Sequence, residues 1–238
     1  MSRAVKWLDQ RFYPDSVDRW DDVLFRDTIV RHLKPEHTIL DLGAGSGRIQ
    51  ELAFRGQVAR VCGIDLDERV VDNPLLDEGK VAGGESIPYP DASFDVVFSD
   101  NVLEHLEQPE AVFREVARVL RPNGVFLVKT PNFYHYMPLI ASATPLWFHR
   151  AFNRLRNRDS EDTFPTVYRA NTPQRLEQLA AAAGMTLEAH HLIEGRPEYL
   201  RIHPLTYPVG IAYERLVNRS RRLARLRILL VGEMRKPR

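Results

Sequence analysis

Residues 38–48 read Thr-Ile-Leu-Asp-Leu-Gly-Ala-Gly-Ser-Gly-Arg, an apolar run that leads into three closely spaced glycines. The pattern predicts a strand, a tight loop and then a helix over 48–55. Glycine permits the sharp turn and lets a ligand lie against bare backbone amides. The third glycine stands at Gly47, whereas the dinucleotide-binding fingerprint counted from Gly43 needs it at position 48. The loop therefore predicts a ligand site, and its spacing argues against a nicotinamide oxidoreductase.

Two acidic residues accompany this loop. Asp41 precedes it by two positions, and Asp65 follows Gly43 by 22 residues, at the end of the next apolar run over 58–65. A carboxylate at Asp41 repels a pyrophosphate and favours an amine or another cation. An acid at the position of Asp65 can accept hydrogen bonds from both hydroxyls of a ribose.

Strand and helix patterns alternate along the chain, which predicts an α/β fold with a parallel sheet and helices on both faces. The predicted elements after the first two strands are a strand over 94–99, a helix over 109–120, a strand over 125–129, a helix over 173–183, a strand over 185–192, a basic helix over 211–226 and a final strand over 228–234.

Four motifs in order resemble the class I S-adenosylmethionine-dependent methyltransferases, particularly the type 11 methyltransferase domain family. They are Leu40 to Gly47, Gly63-Ile64-Asp65, the stretch from Glu85 to Leu106, and Glu115 to Gly124. The resemblance covers roughly residues 37–130. It implies a methyltransferase that uses S-adenosyl-L-methionine. It also implies a Rossmann-like, doubly wound, seven-stranded sheet, mostly parallel, whose last strand is antiparallel beside the fifth, with helical cap insertions.

We expect the chain to divide into six segments. They are an N-terminal helical segment (1–36), the S-adenosylmethionine-binding core (37–131), a cap insertion (132–170), a core helix and strand (171–194), a second cap insertion with the basic helix (195–227), and a final core strand and tail (228–238).

The resemblance also implies which residues contact the cofactor. The glycines underlie its methionine part, Asp41 holds its amino group, and Asp65 binds the ribose hydroxyls. The full set is Asp41, Gly43, Ala44, Gly45, Gly47, Asp65, Leu66, Gly84, Glu85, Asp100 and Asn101. One departure concerns adenine: Gly83-Gly84 replaces the acidic residue and alanine common in the family, so either Glu85 or backbone groups contact the adenine amino group.

Two histidines are candidate catalytic bases. His135 follows the fifth strand within a polar and aromatic stretch, at the edge where parallel sheets form their sites. His105 follows the fourth strand, where some relatives bind a divalent metal through two glutamates and a histidine. Asn101 stands in place of the first glutamate, so we expect no metal. Transfer to oxygen, which needs a base, is favoured over nitrogen or carbon.

Charge is unevenly distributed, although the net charge is only +1. Residues 1–133 hold 16 Lys and Arg against 23 Asp and Glu, a balance of −7, which leaves +8 for residues 134–238. Arginine suits phosphate and carboxylate, so we expect a small or medium anionic acceptor, such as a sugar, a glycan precursor or another metabolite, bound partly by Arg154, Arg156 and Arg158. A high-GC genome is an equally weighted explanation of the arginines.

Other partners and classes remain open. The basic helix could lie on an anionic membrane over 211–227 or contact RNA phosphates, but the chain shows no RNA-binding motif, so nucleic acid is disfavoured. A cofactor-binding protein without catalysis is the second alternative. The single cysteine, Cys62, and the absence of an apolar leader predict a cytoplasmic protein. The sequence does not indicate the oligomeric state.

Overall fold

Seven strands form one mixed sheet in the computed structural model, which describes residues 2–16, 19–143 and 165–238. The sheet order is β3-β2-β1-β4-β5-β7-β6. Among these strands, β7 alone runs antiparallel to its neighbours, β5 and β6. This confirms the predicted Rossmann-like sheet. The strands are β1 (Thr38–Leu42), β2 (Arg60–Asp65), β3 (Glu78–Val81), β4 (Phe94–Asp100), β5 (Leu120–Pro131), β6 (Thr186–Ile193) and β7 (Leu229–Arg235).

Six α-helices accompany the strands in the described residues. They are α1 (Arg3–Phe12), α2 (Trp20–Val30), α3 (Pro109–Val119), α4 (Tyr136–Ala143), α5 (Pro173–Ala182) and α6 (Tyr207–Arg219). Short 3-10 helices occupy Gln50–Leu52, Glu68–Asp72, Leu103–His105 and Ala224–Leu226. Within the described residues, no helix combines the length and apolar character needed to cross a bilayer.

The helix predicted over 48–55 is wrong. That stretch holds only the 3-10 turn Gln50–Leu52 and continues as extended chain. Arg26 of α2 explains the difference, because its Nη1 donates hydrogen bonds to the carbonyls of Glu51 and Ala53, at 2.6 and 3.2 Å. Those carbonyls are therefore not available to the next helical turn.

The predicted basic helix over 211–226 is displaced. The observed α6 begins at Tyr207 and ends at Arg219. Its end is fixed by Arg227, whose guanidinium donates to the carbonyls of Val217 and Asn218, both at 3.4 Å. Pro208 lies in the first turn, where its missing N–H costs nothing.

Apolar clusters cover both faces of the sheet and hold the strand ends in place. On one face, α3 and α5 pack on the sheet, with Phe113 against Phe126 at 5.4 Å between ring centroids. On the other face, α2 contributes Phe25 to a cluster that includes Phe54 and Phe98. Helix α2 thus packs on this face of the sheet.

The N-terminal helix and the second predicted insertion contact each other. Val5 of α1 packs with Tyr207 and Ile211 of α6. Asp9 accepts a hydrogen bond from the Tyr207 hydroxyl at 2.6 Å and binds Arg201 at 2.7 Å. Segments that are about 200 residues apart in the chain therefore form one small helical layer.

Candidate cofactor cleft and its neighbouring histidines

The carboxyl ends of β1, β2 and β4 surround a cleft of about 210 Å³. The glycine loop forms one wall, and acidic side chains form much of the rest. Predicted site residues that line it are Asp41, Gly43, Ala44, Gly45, Gly47, Asp65 and Asp100; the other lining residues are Ser46, Arg48, Ile49, Leu52, Asp67, Arg69, Asn73 and Leu75.

The loop needs glycine for two different reasons. Its three glycines, Gly43, Gly45 and Gly47, all have positive φ, between 50° and 88°. In addition, a Cβ on Gly43 would lie 2.2 Å from a methyl carbon of Val102, which follows β4. The loop is thus packed directly against the chain that carries Asp100 and Asn101.

Two polar side chains fix this loop from the opposite side. Asp65 accepts a hydrogen bond from the Gly45 amide at 2.8 Å, and its second oxygen accepts one from the Asp67 amide, also at 2.8 Å. Asn73 donates to the carbonyls of Ala44 and Gly45, at 3.0 and 3.1 Å. Asn73 was not among the predicted site residues, although the Asn-Pro pair at 73–74 indicates a turn there.

Asp41 and Asp100 concentrate negative charge in the cleft. Burial raises the pKa of Asp41 well above its usual range, and the carboxylates of Asp100 and Asp65 raise it further. Burial also raises the pKa of Asp100 to about 7, although Lys129 opposes the shift. Oδ2 of Asp100 is buried and has no hydrogen-bond partner among the described residues. Such a site disfavours anions and suits a ligand that brings positive charge.

The remaining cofactor candidates lie beside the cleft. Leu66 is 73% exposed, and it and the carboxylate of Glu85 both lie against Gly83. Gly84 fits closely between Val112 and Leu42, so that a Cβ there would lie 3.1–3.2 Å from their side chains. The structure therefore brings Leu66 and the 83–85 segment together at one edge, outside the cleft wall.

Asn101 acts on the cleft through its neighbour Asp100. It adopts a left-handed conformation, with φ of 53°, which asparagine tolerates. Its side chain donates to Oδ1 of Asp100 at 2.7 Å, and its backbone amide donates to the Lys129 carbonyl at 2.8 Å. The residue thereby orients the Asp100 carboxylate.

Glu104 and His105 lie in the short 3-10 helix Leu103–His105 that follows β4. Nδ1 of His105 lies 2.8 Å from the Pro165 carbonyl, which can only accept, so the proton of the neutral ring lies on Nδ1 and Nε2 is the basic nitrogen. The Glu104 carboxylate points inward and accepts from the Thr130 hydroxyl at 2.9 Å. Burial raises the pKa of Glu104.

His135 is buried within an aromatic cluster with Tyr136, Tyr199 and Tyr213. Its Nδ1 accepts the amide hydrogen of Met137 at 3.2 Å, which places the ring proton on Nε2. Burial lowers the pKa of His135 to about 3. The lone pair is thus already used in this conformation, which disfavours the predicted role as a base.

The predicted arginine contacts at Arg154, Arg156 and Arg158 lie outside the described residues. Among the described residues, no three His, Cys, Asp or Glu side chains converge in a way that could hold a metal ion.

Residues 40–128 match a protein family described as a methyltransferase domain. An uncharacterized methyltransferase, YcgJ of Bacillus subtilis, is 34% identical over 117 residues, which are 44% of this chain and 43% of that protein. Its crystal structure superposes with a TM-score of 0.57 at 19% identity, covering 90% of this chain and 99% of that one. That structure shares the fold.

Two further relatives carry names that state a substrate. The malonyl-[acyl-carrier protein] O-methyltransferase of Hahella chejuensis is 35% identical over 99 residues, 39% of this chain and 36% of that protein. The sarcosine/dimethylglycine N-methyltransferase of Halorhodospira halochloris is 32% identical over 114 residues, 44% and 41% of the two chains. Each match thus spans less than half of the relative's own length.

Proposed function

We propose that this chain, which belongs through residues 40–128 to the class I S-adenosylmethionine-dependent methyltransferases of the type 11 family, transfers the methyl group of that cofactor to a small acceptor. The observation that carries the proposal is the group of three carboxylates, Asp41, Asp65 and Asp100, in a cleft with a glycine loop. Bound S-adenosylmethionine supplies a methyl group on a positively charged sulfur, next to a positively charged amino group.

The cleft fits this cofactor because its charge is opposite. The proposal is supported by Oδ2 of Asp100, which has no hydrogen-bond partner among the described residues, and by the raised pKa of Asp41, since both favour a ligand that brings positive charge. Asp41 would accept from the amino group and Asp100 would face the sulfonium side, with Asn101 acting through Asp100. The oxygens of Asp65 each accept one amide and retain lone pairs for the ribose hydroxyls.

The glycine loop and the exposed edge would hold the rest of the cofactor. Gly43, Ala44, Gly45 and Gly47 would present backbone groups to the methionine part. Leu66 would cover one face of adenine, since it is exposed beside Gly83. Glu85 lies at the same edge and would accept a hydrogen bond from the adenine amino group, in place of the family's usual acidic residue. Gly84 lets the backbone pack closely against Val112 and Leu42 at that edge.

We assign to His105, rather than to His135, the role of the base that accepts the proton of the acceptor hydroxyl. Methyl transfer is an in-line displacement, in which the acceptor atom bonds to the methyl carbon and the electron pair of the broken C–S bond remains on sulfur. A hydroxyl acceptor must also lose its proton. Nε2 of His105 can accept that proton, since Nδ1–H is held by the Pro165 carbonyl.

Oxygen is the acceptor atom that we favour, and the acceptor that we favour is anionic. The relative from Hahella supports oxygen, whereas the relative from Halorhodospira acts on nitrogen. The anionic character is supported by the basic second half of the sequence. The predicted division into a core and two cap insertions is part of the same proposal, with the acceptor between cap and core.

A screen for transfer tests the proposed activity. The protein would be incubated with S-adenosylmethionine and fractions of a metabolite extract, and S-adenosylhomocysteine formation would be measured with wild type and with Asp100→Asn. We expect product with at least one fraction, and its loss in the variant. Binding of the cofactor without turnover in any fraction would favour the non-catalytic alternative.

We further propose that α6 lies on a membrane that contains anionic lipids. Val209 and Leu216 share the outward face of the helix, two turns apart, and Leu205 precedes it; they are 63%, 56% and 78% exposed. Arg219, Arg221 and Arg222, which follow on the same segment, are exposed. Over 206–227, the one acidic residue, Glu214, is buried. Exposed apolar side chains beside exposed arginines match an anionic lipid surface better than a protein surface of mixed charge.

Vesicle flotation tests this surface. We expect the protein to float with vesicles of phosphatidylcholine and phosphatidylglycerol at low salt, and to be released at high salt. Leu216→Asp and the combined change of Arg219, Arg221 and Arg222 to Gln should each abolish flotation, whereas Val71→Asp, at another exposed valine, should not. Equal binding to pure phosphatidylcholine, or no binding, would refute the proposal.

A further inference from the structure

Lys129 is a fully buried lysine that the proposed chemistry does not yet use. Its Nζ lies 2.5 Å from Asp22, 2.9 Å from Asp100 and 3.2 Å from Asp21. A lysine without solvent exposure is rare and costly to bury, even when paired. Its presence next to a cleft carboxylate points to a role at that carboxylate.

The two oxygens of Asp100 have different surroundings. Oδ1 lies 2.9 Å from Nζ of Lys129 and accepts a hydrogen bond from the side-chain amide of Asn101 at 2.7 Å. Oδ2 is buried and has no hydrogen-bond partner in the described part of the chain, and Asp100 lines the cofactor cleft. Two donors on Oδ1 therefore fix the plane of the carboxylate and leave Oδ2 for a ligand.

The neighbouring strand β4 and the helix α2 both hold Lys129 in position. Asp100 and Lys129 are partners in the parallel register of β4 and β5. Helix α2 brings Asp21 and Asp22 to the same ammonium group, and Arg19 binds the other oxygen of Asp22 at 2.8 Å. Asp21, Asp22 and Asp41, which also act on Asp100 or are acted on by it, are all acidic, and among the described residues Lys129 is the cation that contacts Asp100.

We propose that Lys129 is a positioning residue that keeps Asp100 anionic, with Oδ2 turned toward the positive charge of the cofactor, while Asp21 and Asp22 of α2 hold the lysine in place. The inference rests on the proposed function, because it takes the cleft ligand to be S-adenosylmethionine. It also gives a role to the contact between Lys129 and α2, a helix outside the family-matched residues 40–128.

Removal of the ammonium group gives a specific pH signature. In Lys129→Met, Asp100 should hold its proton to higher pH, by about one unit or more, since a contacting opposite charge shifts a carboxyl pKa by that amount. Calorimetric S-adenosylmethionine affinity should then be about 10-fold lower at pH 7 and recover as pH rises. A purely structural defect would weaken binding equally at every pH.

Two variants and one direct titration keep the test decisive. Lys129→Met/Asp22→Asn removes a charge pair together and should show the same shift if the single variant does not fold. Lys34→Met, at an exposed lysine, should leave the profile unchanged. Carbon-detected NMR of labelled aspartate, without cofactor, should show Asp100 titrating at higher pH in the Lys129 variants.

The outcomes separate the two proposals. If wild type does not bind S-adenosylmethionine, the proposed function is wrong, while the NMR titration still decides whether Lys129 controls Asp100. If wild type binds but neither Lys129 variant shifts the pH profile or the Asp100 titration, the inference about Lys129 is overturned.

Discussion

Asp41 illustrates the conflict between stability and binding at a single residue. Its carboxyl group is buried beside Asp100 and Asp65, so without a cationic ligand its charge is unfavourable. Asp41→Asn should therefore raise the free energy of unfolding of the cofactor-free protein at pH 8, because the amide brings no charge into the buried site. The same change should weaken S-adenosylmethionine binding about 10-fold or more, because a charged hydrogen bond is lost. Urea unfolding and calorimetry at pH 8 measure both effects.

Asp72→Asn, at an exposed aspartate, is the matched control and should change neither quantity. If Asp41→Asn destabilised the protein and left affinity unchanged, Asp41 would be a structural residue of the turn.

The two histidines should respond differently to substitution. His135→Gln removes a buried ring whose Nδ1 accepts the Met137 amide, so we expect a loss of about 1–3 kcal/mol in unfolding free energy and normal turnover in the folded protein. His105→Gln should leave unfolding nearly unchanged and lower kcat about 100-fold, the effect of losing a general base. The reverse pattern, measured with the acceptor found in the screen, would return the role of base to His135.

For single residues, the sequence predicted the cleft side chains that stand next to a strand end or in the glycine loop. Asp41, Asp65 and Asp100 stand next to strand ends, and the structure brings them to one cleft. Lys129 could not be assigned from local pattern, because its partners Asp21 and Asp22 are 108 and 107 residues away. Contacts of that kind depend on sheet register and helix packing, which sequence spacing does not reveal.

At the element scale, the glycine loop depends on a side chain outside it. Asn73→Asp is isosteric, but it replaces the donor to the carbonyls of Ala44 and Gly45 with a charged acceptor. We expect a loss of about 2–4 kcal/mol in unfolding free energy and weaker cofactor binding, since the buried carbonyls lose their partner and face a like charge. Thermal unfolding with and without S-adenosylhomocysteine measures this effect.

Asp72→Asn, at the exposed neighbouring aspartate, again serves as the control. An Asn73 variant with wild-type stability and affinity would show that the loop holds its shape through its glycines alone.

Prediction of elements succeeded where the apolar pattern was strong and failed where tertiary contacts decided. The central strands were predicted within a few residues. The helix over 48–55 was wrong because Arg26, from a distant helix, binds its carbonyls. Strand β3 was missed because it has only four residues and contains Gly79, which passes so close to the Val70 carbonyl that a Cβ would lie 2.0 Å from it.

At the scale of the whole molecule, the charge asymmetry is partly an internal complementarity. Acidic residues of the first half pair with arginines of the second, as Asp9 does with Arg201 and Glu110 with Arg175. These arginines are not available to an acceptor. The expected anionic acceptor therefore depends on Arg154, Arg156 and Arg158, which lie outside the described residues.

The buried Glu194 should shape the pH dependence of stability. Burial raises its pKa to about 8 from the usual 4.5, so the folded protein holds a proton that the unfolded chain has released. Stability should therefore fall as pH rises toward 8, by about 2 kcal/mol above pH 6.5. Glu194→Gln keeps an acceptor for the Ile228 amide and should flatten this decline in urea unfolding.

His135 should make the free energy of unfolding depend on pH in the opposite direction. Its lowered pKa means that stability is lost as pH falls below about 6.5, through protonation of the unfolded chain. In Glu194→Gln this loss should be steeper between pH 6.5 and 4.5, because the opposing effect of Glu194 is absent there. An unchanged decline between pH 6.5 and 8 in the variant would show that Glu194 is ionised in the folded protein.

Calorimetric titration of the wild-type protein at pH 8 with S-adenosylmethionine, S-adenosylhomocysteine and NAD is the most direct test of the cofactor site. The three carboxylates and the glycine spacing predict micromolar binding of both sulfur compounds and no binding of NAD. Binding of NAD, or of none of the three, would contradict the account.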